Sequence, residues 1–148
     1  MQGSEIESLV DTYKIPDFRG VCTIASIPDL EEHQFVIFNL SPSPPGSHWA
    51  YLCLRAIDEN QKKHYELIDS LGVDEKNIRS YLPADSFYVY NRTALQPKDS
   101  KKCGLYCVYY AILKGENEDL DFYDLTRLAF TKSVSINDAR VAEFFTNH

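Results

Sequence analysis

Residues 91–114, NRTALQPKDSKKCGLYCVYYAILK, decide the fold, because they join a polar loop to the longest apolar run of the chain. From Cys103 to Lys114 the side chains are apolar on nearly every side of a helix, which predicts a buried helix. Gly115 is expected to end this helix, since glycine readily adopts the left-handed conformation common at helix ends. The sequence therefore predicts a cysteine in the first turn of a buried helix.

A thiol at the start of a helix lies near unpaired backbone N–H groups and the positive end of the helix dipole. Both favour the thiolate, which is the nucleophilic form of cysteine. Gln96 stands seven residues upstream of Cys103, on the loop that leads into the helix. We therefore expect Cys103 to be a nucleophile and Gln96 to be a candidate oxyanion donor, together with the backbone N–H of Cys103.

A predicted hairpin supplies the candidate base. Strands over residues 49–57 and 64–69 flank a polar turn, so His48 and Asp69 both lie toward the open end of the hairpin. An imidazole there can take the proton of Cys103, while a carboxylate on its other ring nitrogen fixes the orientation of the ring.

The register of this hairpin leaves the identity of the acid open. If the turn is centred near Asn60, Asp69 pairs nearer Leu52 than His48. The carboxylate then reaches the ring only if the turn is asymmetric or the strand is staggered. Glu66 and Asp74 stay as alternatives for the orienting acid.

Composition limits the class of protein. With 148 residues, of which 44% are hydrophobic, a single domain over residues 1–148 with a sizeable core is expected. The net charge of -7 argues against nucleic acid as a main partner, and a basic spot at Lys98, Lys101 and Lys102 is interpreted as a solvated loop. The start of the chain lacks the pattern of a signal peptide, and the apolar run 104–113 is half as long as a membrane span needs. We therefore expect an intracellular protein with no membrane partner.

The cysteines do not predict a disulfide framework. The four of them show neither a disulfide-scaffold nor a zinc-ribbon spacing, and a reducing setting fits best. Cys103 and Cys107 share a helix face and can in principle join His48 at a metal, but no fourth ligand is evident. No metal or other cofactor is expected. Asn91 begins a glycosylation-type triplet, which we interpret as accidental without a secretory signal.

The rest of the chain alternates between strand and helix patterns. A helix over 5–13 capped by Ser4, an irregular packed loop through Phe18 and Val21, and a proline-rich loop over 41–47 are expected. The other predicted elements are a strand over 34–40, a helix over 74–82 ended by Pro83, a strand over 86–90, and helices over 120–130 and 137–145, the last capped by Asn137. The mixed pattern predicts an α+β fold.

Three blocks, GSHWAYLCL (46–54), YELIDSLG (65–72) and LQPKDSKKCGLYCVYY (95–110), resemble a known family. They are similar to the His-Trp, acidic and Gln…Cys-Gly blocks of the adenovirus endopeptidases (adenain), in the clan of ubiquitin-like-modifier proteases. The order of the blocks is also that of the clan. The resemblance implies a papain-like α+β fold with a small central mixed sheet flanked by helices.

The resemblance also implies the role of each residue. His48 carries over as general base, Asp69 as the orienting acid, Gln96 as oxyanion donor and Cys103 as nucleophile. Trp49 and Gly104 are implied to bind substrate. In modifier proteases the aromatic beside the histidine lines a slot so narrow that only glycine, which lacks a Cβ, passes through it.

The expected function is therefore that of a cysteine endopeptidase, a monomer that cleaves precursor proteins of a virus or virus-like element at glycine-containing sites. It would act in the host cytoplasm or nucleus, or in the virion. The alternatives are an isopeptidase of ubiquitin-like modifiers, an acetyltransferase like related bacterial effectors, and a non-catalytic binding module.

This chain departs from the adenain pattern in three ways, the first of which is a longer hairpin. Its acid is aspartate, whereas adenain has glutamate, so the carboxylate is one methylene shorter. It also has no cysteine between Asp69 and Gln96 to form the disulfide that joins adenoviral members to an activating viral peptide. Because the acidic balance disfavours DNA as well, neither activator is carried over to this chain.

Overall fold

The computed structural model of the chain describes residues 1–40, 48–80, 82 and 84–147. The proline-rich loop predicted over 41–47 and the helix end predicted at Pro83 lie outside these residues. The elements in chain order are α1 (Gly3–Thr12), β1 (Phe18–Thr23), a short 3-10 helix (Ile24–Ser26), β2 (Phe35–Asn39), β3 (Trp49–Ile57), β4 (Lys63–Ile68), α2 (Glu75–Arg79), β5 (Ser86–Tyr90), α3 (Cys103–Glu116), α4 (Phe122–Ala129) and α5 (Val134–Asn147).

A five-stranded mixed sheet forms the centre of the molecule, with the strands in the order β1-β2-β3-β4-β5. The inner pairs β2–β3 and β3–β4 are antiparallel, whereas the outer pairs β1–β2 and β4–β5 are parallel. Every residue of β2 is buried, as expected for a strand covered on both faces. These features confirm the predicted α+β class.

Helix α3 packs on one face of the sheet and belongs to its main apolar core. The ring of Tyr110 meets the ring of Tyr51 on β3 edge-on, with centroids 5.0 Å apart. Such aromatic pairs add to the stability gained from their burial alone. Because α1, α4 and α5 surround α3, the helix is buried on nearly every side, which is why its sequence is apolar throughout.

The register of the β3–β4 hairpin places its acid close to the histidine. Tyr51 lies opposite Ile68, and the pairing shifts by one residue between Leu54 and Ala56. A bulge of this kind inserts one extra residue into one strand. Asp69, the residue after Ile68, is consequently nearer to His48 than a symmetric turn at Asn60 would allow.

The irregular loop predicted through Phe18 and Val21 is wrong, because this segment is the edge strand β1, paired in parallel with β2. Gly20 has a φ of +103° and the pairing shifts between Phe18 and Val21. Glycine inside a strand commonly marks such a bulge, and here it interrupts the residue pattern by which a strand is recognised in a sequence.

Three predicted helix ends are also wrong. Gly115 lies within α3, which runs to Glu116. Asn137 lies in the second turn of α5, not at its cap, since α5 begins at Val134. Ser4 lies inside α1, where the carboxylate of Glu5 accepts a hydrogen bond from the N–H of Gln2 at 2.9 Å. At the other two ends, the side chain of Asn117 donates to the carbonyl of Leu113 at 2.8 Å, and the hydroxyl of Ser133 accepts the N–H of Ile136 at 3.3 Å.

The predicted helix over 74–82 is shorter in the structure, as α2 covers Glu75–Arg79. The helices predicted over 120–130 and 137–145 correspond to α4 and α5. Within the described residues, none of the helices is long and apolar enough to cross a lipid bilayer.

Candidate active site

Three elements bring their ends together at one place. His48 directly precedes β3, Asp69 directly follows β4, and Cys103 is the first residue of α3. The Nε2 atom of His48 lies 2.6 Å from Oδ1 of Asp69, which is a short hydrogen bond. Asp69 is 5% exposed and its Oδ1 also accepts the N–H of Leu71 at 2.9 Å, so the carboxylate is held in one orientation.

The thiol of Cys103 lies close enough to the His48 ring for each group to shift the pKa of the other. Because Nε2 of that ring is bonded to Asp69, Nδ1 is the ring nitrogen that remains available to the thiol. The backbones of Trp49 and Gly104 also lie near the sulfur and lower the pKa of the thiol. Cys103, His48 and Asp69 therefore lie together, with His48 hydrogen-bonded to Asp69 and adjacent to the thiol of Cys103.

Both partners have shifted pKa values in the direction that favours an ion pair. Burial lowers the pKa of His48, but the hydrogen bonds to Asp69 and Cys103 outweigh it and raise the pKa to about 9. Burial raises the pKa of Cys103, but the hydrogen bonds from His48 and the Trp49 backbone outweigh it, and the pKa is lowered. Both shifts favour a thiolate beside an imidazolium.

Gln96 is buried and its side-chain amide has a defined orientation. Its Oε1 accepts the hydroxyl of Ser70 at 2.6 Å, and its Nε2 donates to the carbonyl of Ser100 at 2.9 Å. A backbone carbonyl can only accept, so the amide nitrogen must face Ser100. One Nε2 hydrogen bond is made to the described residues, which leaves the second N–H for another acceptor.

Trp49 and Gly104 both lie beside the first residue of the chain. The indole N–H of Trp49 donates to the carbonyl of Met1 at 2.9 Å, and the side chain is 4% exposed. A Cβ added to Gly104 would lie 2.7 Å from Sδ of Met1. The two residues therefore adjoin Cys103 but are covered by Met1, and their contact with substrate stays a prediction.

The alternative acid Glu66 has a different partner. Its Oε2 lies 2.7 Å from Nζ of Lys114, near the far end of α3, and Glu66 is 1% exposed. Asp69 is the carboxylate that bonds to His48. Among the described residues no group of three or more histidine, cysteine or acidic side chains is arranged to hold a metal.

Asn91 is a residue of the site that sequence reasoning missed. Its Oδ1 accepts the backbone N–H of Asp69 at 3.0 Å, and its Nδ2 donates to the carbonyl of Asp69 at 2.6 Å and to that of Thr93 at 3.0 Å. It therefore fixes the backbone of the acid on both sides. The available signal was its place directly after a strand, where asparagine often bonds to nearby backbone.

The fold and the site together define an α+β chain in which a cysteine, a histidine and an aspartate lie at one place. A solved structure of AvrA, the variant delL154 with IP6 and CoA, matches with a TM-score of 0.53 and 12% sequence identity. The match covers 76% of this chain and 47% of that chain, so this chain spans just under half the length of AvrA. The likeness shows that the matched parts of the two chains share a fold. No protein-family model matches the chain, and no curated protein sequence matches it.

Proposed function

We propose that this protein is a cysteine endopeptidase that cleaves precursor proteins of a virus or virus-like element at glycine-containing sites. The observation that carries the proposal is the position of Cys103 beside the hydrogen-bonded pair of His48 and Asp69. A nucleophile, a base within reach of it and a third group that orients the base are the signature of covalent acyl chemistry.

In this proposal the thiolate of Cys103 attacks the scissile carbonyl carbon, and a C–S bond forms as the carbonyl π electrons move to oxygen. The backbone N–H of Cys103 and the second N–H of Gln96 stabilise the resulting oxyanion. His48 then donates its proton to the leaving amine as the C–N bond breaks. A water molecule, deprotonated by His48, hydrolyses the thioester, while Asp69 keeps the ring oriented throughout.

The preference for glycine rests on the resemblance to the modifier proteases and on the position of Trp49 next to His48. A substrate backbone that passes close to an indole ring needs residues without a Cβ. The expected partner is a protein or polyprotein with glycine near the scissile bond. We infer that the enzyme acts as a monomer in the host cell, where reducing conditions keep the thiol free, or in the virion.

A second candidate, an acyltransferase, is favoured by one specific observation. The matching structure of AvrA contains CoA, which carries acyl groups in many enzymes. The same thiolate would accept an acyl group from the CoA thioester, release the CoA thiol, and pass the acyl group to a hydroxyl or amine. The first half of this reaction needs the same three residues as proteolysis.

The experiment that separates these functions uses three substrates with the wild-type protein and with Cys103→Ala. Glycine-containing peptides, ubiquitin-like modifiers with a C-terminal fluorogenic amide, and acetyl-CoA with an acceptor protein are incubated in parallel. The proposal expects cleavage of the peptides that is lost in Cys103→Ala. Cleavage of the modifier reporters alone would make the protein an isopeptidase, and acetyl transfer without cleavage would make it an acyltransferase.

A further inference from the structure

The start of α5 lies against the loop that leads into α3. Oδ1 of Asp138 accepts the hydroxyl of Ser100 at 2.7 Å and the hydroxyl of Tyr106 at 3.1 Å, while Oδ2 lies 3.1 Å from Nζ of Lys102. These three donors flank Cys103 in sequence on both sides. One carboxylate therefore joins the loop before the cysteine to the helix after it.

This carboxylate is charged and sheltered. The side chain of Asp138 is 19% exposed. Burial raises its pKa, but the hydrogen bonds from Ser100, Lys102 and Tyr106 outweigh burial and keep the pKa below the usual value. Hydrogen bonds to an ionised acceptor are stronger than those between neutral groups, so the three contacts hold firmly.

The neighbouring Asn137 holds the other end of the same loop. It is fully buried, and its Nδ2 donates to the carbonyl of Leu95 at 3.0 Å and to that of Thr131 at 2.9 Å. Its Oδ1 accepts the backbone N–H of Thr131 at 2.7 Å. Leu95 precedes Gln96 and Lys102 precedes Cys103, so α5 anchors the loop immediately before each expected oxyanion donor.

The two anchors are also linked through the loop itself. Ser100 accepts from the amide of Gln96 through its carbonyl and donates to Asp138 through its hydroxyl. A displacement of Ser100 would therefore move the Gln96 amide. By contrast, the His48 ring is held by Asp69 at the end of β4.

We propose that Asn137 and Asp138 of α5 are positioning residues for the oxyanion site, because they hold loop 95–102 so that the Gln96 amide and the Cys103 backbone N–H converge on one oxygen. The inference rests on the proposed acyl chemistry at Cys103, and it applies whether the acyl acceptor is water or an amine. Helix α5, which contributes no residue to the catalytic site, would thus support catalysis by positioning this loop.

The test compares two reactions of the same thiolate in the wild type, Asp138→Asn and Asp138→Ala. Acylation of Cys103 by p-nitrophenyl acetate forms a C–S bond, passes through an oxyanion and expels nitrophenolate. Alkylation by iodoacetamide also forms a C–S bond, with loss of iodide, but involves no oxyanion. Glu143→Gln serves as the matched control, since Glu143 is an exposed acid on the same helix.

We expect Asp138→Ala to slow acylation by about tenfold or more, which is less than the loss expected when an oxyanion donor is removed. The rate of alkylation should change by less than about threefold. Asp138→Asn keeps an oxygen acceptor for the two hydroxyls but loses the ion pair with Lys102, so its acylation should be slowed less than that of Asp138→Ala. This variant provides the test if Asp138→Ala does not fold. The control should match the wild type in both reactions.

Equal losses in both reactions, or no loss in either, would overturn the inference. Wild-type protein that is acylated but cleaves no peptide would reject the proposed endopeptidase, and the comparison of the Asp138 variants would still decide the positioning role. If the ester does not acylate wild-type Cys103, both proposals are rejected.

Discussion

Two cysteines one helical turn apart on α3 have opposite acid–base character. The pKa of Cys103 is lowered, mainly by the hydrogen bonds that outweigh its burial, whereas burial raises the pKa of Cys107 well above its usual value. Position on the helix explains the difference, because Cys103 lies at the open end beside His48 and Cys107 lies one turn inside the core. Only the first is placed to be a nucleophile.

At the scale of single residues, Asp69→Asn should lower kcat by on the order of 10²–10⁴, because an amide does not stabilise the imidazolium or hold the correct tautomer. The matched change is Glu66→Gln, a buried carboxylate on the same hairpin that pairs with Lys114 instead. It should lower the free energy of unfolding and leave kcat within about threefold. Peptide turnover and urea unfolding measure the two effects, and the reverse order of kcat losses would move the orienting role away from Asp69.

Gln96→Ala should reduce the rate of acylation by on the order of 10²–10³ if its amide is an oxyanion donor. Ser70→Ala removes the hydroxyl that bonds to Oε1 of Gln96 and should give a smaller loss, since the bond to Ser100 still orients the amide. Pre-steady-state acylation compares the two variants. A loss below tenfold in Gln96→Ala would leave the Cys103 backbone N–H as the main donor.

At the scale of elements, α3 contains three buried tyrosines, and the hydroxyls of two of them, Tyr106 and Tyr110, have opposite surroundings. The hydroxyl of Tyr106 donates to Asp138 at 3.1 Å, whereas the hydroxyl of Tyr110 has no hydrogen-bond partner among the described residues. Burying an unsatisfied polar group costs free energy. The Tyr106 hydroxyl therefore stabilises the fold, whereas the Tyr110 hydroxyl destabilises it.

Tyr110→Phe should raise the free energy of unfolding by about 1 kcal/mol, because it removes an unsatisfied buried hydroxyl and keeps the packed ring. Tyr106→Phe should lower it by a similar amount, since it leaves Asp138 with one donor fewer. Urea unfolding of both variants measures the difference. A destabilised Tyr110→Phe would show that this hydroxyl is bonded after all.

The elements differ in how far local sequence determines them. Strands β3 and β5 were predicted with the bounds that the structure has, because dense branched and aromatic runs between turn residues indicate strands strongly. Strand β1 was missed because the bulge at Gly20 interrupts its pattern. The start of α5 was missed because Asn137, which looks like a cap, bonds instead to Leu95, 42 residues away.

At the scale of the whole molecule, the site depends on contacts between distant segments. His48, Asp69, Gln96 and Cys103 were selected from the sequence, and the structure joins His48 to both Asp69 and Cys103. The sequence does not show the bulge that sets the β3–β4 register, nor the bonds from Asn91 and Asp138 that hold the site. These depend on tertiary packing, for which a single sequence contains no periodic signal.

If the active form pairs the Cys103 thiolate with the His48 imidazolium, kcat/KM should show a bell-shaped dependence on pH. The acid limb reflects protonation of the Cys103 thiolate, at a pH below the ordinary thiol value because its pKa is lowered. The alkaline limb reflects loss of the His48 proton, which the leaving amine requires, and should fall near pH 9. Peptide hydrolysis measured across the pH range checks both limbs, and activity that continues to rise through pH 10 would contradict the assignment of His48.

The most direct measurement of the central claim, that His48 activates Cys103, is the rate of iodoacetamide alkylation at Cys103 against pH, with the modified residue identified by peptide mapping. In the wild type the rate should rise with an inflection below the ordinary thiol pKa of 9.0. In His48→Ala the inflection should move upward, because burial then acts on the thiol without the opposing imidazole. Identical profiles for the two proteins, or a wild-type inflection at 9.0 or above, would contradict the account.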